Sequence, residues 1–149
     1  MSQLLNGATW KTLEKRWDAL GFAELQQNEQ ETIALFWLEA EVMNGGFDQY
    51  FWNSSGDLLP QACSGLQRLG MPITLGLVDQ AITAFCVGPY PVDRTQRHGE
   101  LERAEATSPE RYVAAIEAAT RGLQDLPERF LEAAVADLAQ TYARLSASP

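Results

Sequence analysis

Apolar residues recur along this chain at three- and four-residue spacing, the period of an amphipathic helix. Trp10, Leu13, Trp17 and Leu20 form the first series, with Thr9 placed to cap it and Gly21 to stop it. The second series starts from Asn28 as cap and runs to Asn44, where Gly45-Gly46 ends it. It carries two stripes. Ile33, Phe36, Trp37 and Ala40 share one face, and Leu35, Leu38 and Val42 lie on roughly the opposite one. A helix apolar on two sides is buried between layers or faces a second subunit.

Phe47 to Trp52 reads as a short helix whose aromatic residues supply core area, and Asn53-Ser-Ser-Gly-Asp57 as turn chemistry. Asp57 is placed to cap a helix with Pro60 in its first turn, ending at Gly70. Residues 73–86 give another, with Leu75, Val78, Ile82 and Phe85 inward. Gly88-Pro-Tyr-Pro91 breaks the pattern, so a long loop is expected from Val87 to about Gly99, with a turn of helix over residues 100–106. Pro109 opens a helix through Arg121, and a last helix runs from about Pro127 to Leu145 with Phe130, Leu131, Ala134, Leu138 and Tyr142 inside. No alternating strand pattern of useful length occurs. The expected fold is all-α, a compact bundle of six to eight helices forming one domain over residues 1–149.

Composition adds an asymmetry of charge. Between Arg16 and Arg94 stand ten acidic residues and one basic residue, Arg68, a balance of −9 that equals the net charge of the whole protein. A pI near 4.5 disfavours direct contact with nucleic acid or anionic membranes and favours a cationic partner. No signal peptide and no membrane-spanning run is visible, so a cytoplasmic location is expected. Cys63 and Cys86 lie on apolar helix faces and read as free thiols.

The residues offer little to a catalyst. His98 is the single histidine, and no Cys-x-x-Cys, His-x-x-x-His or Glu-x-x-His spacing occurs, so no metal or cofactor is expected. Gly45-Gly46 lacks the lysine and hydroxyl residue of a phosphate loop. Paired carboxylates such as Glu41 and Asp48 could serve a hydrolase, but acids are so frequent here that the pair is weakly informative. Arg94, Arg97, His98 and Arg103 form the one basic cluster, read either as a solvated loop edge or as an anion contact.

The segment Glu39-x-Glu41-x-x-Asn44-Gly45-Gly46-Phe47-x-Gln49-Tyr50-Phe51-x-Asn53-Ser54-x-Gly56 resembles the signature of a bacterial domain-of-unknown-function family. Its best-known member is a DNA-mimic protein. The match continues through Leu66-x-x-Leu69-Gly70 and the ending Leu126-Pro-Glu-Arg-Phe130, covering about residues 30–145. The resemblance implies an acidic, all-α homodimer and at least one relative that blocks a DNA-binding regulator by imitating duplex charge. Asn44, Gly45, Gly46, Phe47, Gln49, Tyr50, Phe51 and Asn53 are expected to be mainly structural.

Three functional readings follow. The leading one is a non-enzymatic interaction protein that offers Glu29, Glu31, Glu39, Glu41, Asp48 and Asp57 to a basic protein surface, with DNA mimicry as its specific form. The others are a carboxylate hydrolase and a purely structural dimer. Glu29 to Glu41 span twelve residues, about 18 Å of helix at about 1.5 Å each. Duplex DNA presents about one phosphate per 1.7 Å of axis. One helix is too sparse, so a mimic must assemble its charges from several helix edges or from two chains.

Overall fold

The computed structural model describes residues 1–125 and 128–148; Leu126, Pro127 and Pro149 lie outside the described residues. The described residues form eight α-helices and no strand: α1 (Ser2–Leu5), α2 (Ala8–Leu20), α3 (Gln27–Trp52), α4 (Leu59–Arg68), α5 (Pro72–Thr83), α6 (Arg94–Thr107), α7 (Pro109–Gln124) and α8 (Phe130–Ala147). Short 3-10 turns join α2 to α3 and α3 to α4. The all-α expectation holds. The last helix, expected from about Pro127, a residue outside the described set, starts at Phe130 with Arg129 as its cap, and Glu128 and Arg129 are not helical.

The long helix α3 is the axis, with α4, α7 and α8 packed around it. Leu35, Leu38 and Val42, the stripe that could have met a second subunit, are fully buried inside one chain, as is Ile33 on the other face. Two-sided burial therefore reflects a central helix between layers. Phe47, Tyr50 and Phe51 complete this core, and Phe51 sits among Phe47, Phe85 and Tyr90 with ring centroids 4.9–6.0 Å apart. Trp52 departs from the expected core role. It is exposed and stacks on His98, centroids 3.8 Å apart at 8°.

Helix boundaries differ from the sequence reading, α5 ending at Thr83 and α7 running on to Gln124, and the caps differ too. The cap of α2 is Gly7, not Thr9. That of α3 is Gln26, not Asn28: its side chain accepts from the Glu29 N–H while the Glu29 carboxylate accepts from the Gln26 N–H. Asp57 does not cap α4, because its carboxylate is held by Arg94 and Arg97. The expected loop to Gly99 ends early, since Asp93 accepts from the Gln96 N–H at 2.8 Å and starts α6.

Candidate functional site

The signature segment is built around a break in α3. Gly46 adopts φ 81°, ψ −179°, a region open in practice to glycine alone. Gly45-Gly46 thus bends the chain as expected, but the helix resumes at once and reaches Trp52. The Phe47 N–H, whose helical acceptor would be the Met43 carbonyl, donates instead to Thr120 Oγ1 of α7 at 3.1 Å. Gln124, also on α7, donates to the Val42 carbonyl at 3.1 Å. The bend is therefore pinned to α7 on both sides.

A polar clasp spans the same bend. Glu41 and Asn44 lie three residues apart before it, and Gln49 and Asn53 four apart after it, so each pair shares a helix face. The Glu41 carboxylate accepts from Gln49 Nε2 at 2.5 Å, from Asn53 Nδ2 at 3.1 Å and from Ser55 Oγ at 3.2 Å. Asn44 donates to Gln49 Oε1 at 3.4 Å. A Cβ on Gly45 would fall 1.9 Å from that same oxygen, so the first glycine gives room to the clasp and the second makes the turn. The asparagines bind side chains, not the free backbone groups at helix ends.

The acids fall into three groups. Glu29 and Glu31 are fully buried and offer no charge to a partner. Glu29 meets Arg16 at 2.5 Å and accepts from the Tyr142 hydroxyl at 2.7 Å; Glu31 meets Arg68 at 2.7 Å and accepts from Ser64 at 2.8 Å. Burial tends to raise the Glu29 pKa, but hydrogen bonds from Arg16, Tyr142 and the Gln26 N–H outweigh it and hold the carboxyl below its ordinary value. Asp57 is also neutralised. It lies 2.7 Å from both Arg94 and Arg97, and these donors overcome desolvation and lower its pKa. Glu39 and Glu41 are half-buried, and Glu41 belongs to the clasp. Asp48 alone of the six is exposed, and its carboxylate accepts from the Tyr112 hydroxyl. Glu41 and Asp48 thus serve separate networks rather than one paired-carboxylate cleft.

The basic cluster is not a loop edge. Arg97 is fully buried in α6. It donates to the carbonyls of Phe51 (2.5 Å), Asn53 (3.1 Å), Val92 (2.9 Å) and Pro91 (3.2 Å), besides Asp57. His98 Nε2 donates to the Trp52 carbonyl at 2.6 Å. Arg97 and His98 therefore secure the chain that leaves α3, Arg94 pairs with Asp57, and Arg103 lies 3.6 Å from Glu100.

Beside the bend, α3 and α7 enclose an open groove of about 580 Å³. Asp48 of α3, Glu105 of α6 and Glu117 of α7 line it with Val113 and Ile116, and Arg121 is its single lining cation among the described residues. Sequence reasoning missed Glu105, Val113 and Glu117, which lie outside the acidic half. Val113 and Glu117 are four residues apart on α7, a spacing that places them on one face. Among the described residues no group of His, Cys, Asp and Glu could hold a metal ion, and no helix is long and apolar enough to cross a membrane.

The chain is a small acidic all-α domain with a glycine-bent central helix and an acid-lined groove at the bend. The chain belongs to the DMP19-like protein family, whose model matches residues 23–146, and with it to the DNA-mimic-like domains. No curated protein and no solved structure matches the chain.

Proposed function

We propose that the protein is a non-enzymatic interaction protein that binds the basic surface of a DNA-binding protein, acting in the cytoplasm as a DNA mimic. The family match over residues 23–146 carries this reading. The acids lining the groove support it, since Arg121, the one lining cation among the described residues, stands 3.8 Å from Glu117 in a loose, exposed pair. With Glu29, Glu31 and Asp57 neutralised, the charges left for mimicry are the exposed ones, Asp48, Glu102, Glu105, Glu110 and Glu117 among them. Along α7, Glu110 and Glu117 stand seven residues apart, about 10 Å at about 1.5 Å each, which is sparser than phosphates on a duplex. A homodimer that sets two such faces side by side would raise the density, and sedimentation at micromolar concentration reads that directly.

The test of the function is electrostatic. Immobilised protein should retain a basic DNA-binding protein at about 50 mM salt and release it as the Debye length shrinks near about 0.3 M. Duplex DNA should displace it, because both would cover the same basic face. Retention unchanged by salt and by DNA would overturn the proposal.

A further inference from the structure

We infer that the groove beside Gly46 takes one arginine or lysine side chain of the partner, its aliphatic stem on Val113 and Ile116 and its charged head among Asp48, Glu105 and Glu117. This rests on the reading of the protein as a binder of basic surfaces and names where such a surface inserts.

The argument is one of shape and charge together. A groove of about 580 Å³ is within the range of about 300–1,000 Å³ typical of ligand sites, more than a flat acidic face would offer. Val113 is 44% exposed on its wall while Ile116 is 6% exposed beneath, so the groove holds apolar ground open to solvent. Lysine and arginine side chains combine an apolar stem with a charged tip and cover such ground while keeping the head at a polar rim. Small anions and purely apolar segments fit less well: the first meet three carboxylates, the second must desolvate them. The Tyr112 hydroxyl occupies one Asp48 oxygen and orients that carboxylate, leaving its other oxygen for a partner. Arg121, 72% exposed, is held loosely at the rim by Glu117, and an incoming cation displaces it at little cost. The walls keep their spacing because the bend is pinned through Thr120 and Gln124.

The experiment titrates a fluorescent hexa-arginine peptide at low salt against the protein and three variants. Glu105→Gln with Glu117→Gln removes two groove charges. Val113→Arg places a tethered guanidinium in the groove. Asp18→Asn with Asp79→Asn removes two exposed charges borne by α2 and α5. All five positions are exposed, and thermal melts of the variants check that the fold is kept. The expected result is a loss of affinity of about tenfold or more for the first two variants and less than about threefold for the third. Equal losses for both charge-matched variants would overturn the groove assignment while leaving the acidic-binder reading standing. No binding to the unaltered protein at low salt, or binding indifferent to salt, would overturn both.

Discussion

Arg97 and Asp57 meet at 2.7 Å, with the guanidinium completely buried and the carboxylate at the margin of the interior. The same guanidinium satisfies four main-chain carbonyls, those of Phe51, Asn53, Pro91 and Val92. One side chain thus closes the exit from α3 against the entry to α6. Arg97→Met leaves these carbonyls and Asp57 without a buried donor and should destabilise the protein by about 3–5 kcal/mol. Arg97→Lys should recover only part, since an ammonium cannot reproduce the planar fork. Urea denaturation measures both. A loss below about 1 kcal/mol for Arg97→Met would show that the hub contributes little.

The backbone at Gly46 predicts a contrast with Gly70. Both have positive φ, 81° and 70°. Gly70 has no atom within 4 Å of a would-be Cβ, whereas at Gly46 that atom would stand 3.0 Å from Thr120 Oγ1. Asparagine tolerates the ordinary left-handed region but not the conformation at Gly46. Gly70→Asn should therefore be the milder change, costing less than about 1 kcal/mol, and Gly46→Asn should cost about 1–3 kcal/mol and disturb the groove. Equal melting temperatures for the two variants would contradict this account.

Acid should weaken the fold through Glu29. Its folded pKa lies below the ordinary 4.5, so the unfolded chain takes up this proton more readily than the folded one. The contribution is complete above about 4.5 and is lost as the pH falls through the folded value. Glu29→Gln should lower stability at pH 7 and flatten its dependence on pH below that point. A slope unchanged by the substitution would assign the acid sensitivity to other carboxylates, Asp57 first.

The thiols should be slow to react. Burial pushes Cys63 up to about 11, so its thiolate is scarce at pH 8, and Cys86 is raised by the same cause. Neither is in a disulfide. A thiol reagent should modify the native protein far more slowly than the urea-unfolded one. Labelling at equal rates would mean that these sites open readily.

Helices were legible wherever apolar residues repeat at helical spacing, and the bend was legible from paired glycines. Helix α6 was not, because Arg94-Thr-Gln-Arg-His-Gly-Glu presents no apolar stripe until Leu101. The role of Arg97 was equally hidden, since its partners are mostly main-chain carbonyls and carry no residue signature. Glu29 and Glu31 are different. Glu29 precedes Ile33 by four residues and Glu31 precedes Leu35 by four, so each acid continues a buried stripe. Helical spacing already placed them inside, whereas a count of charges along the chain treated them as surface. The groove required the pairing of α3 with α7, which depends on contacts such as Phe47 with Thr120, 73 residues apart.

The ion pair of half-buried Arg16 with buried Glu29 crosses the edge of the family match, which begins at residue 23. Arg16 belongs to α2, as do Trp10, which packs 5.0 Å from the Phe36 ring, and the buried Leu13. A polypeptide cut at the edge of the match would uncover part of α3 and strip Glu29 of its cation. The unit of folding therefore starts earlier than the unit of kinship, because Trp10 and Leu13 of α2 close part of the core that the matched residues build.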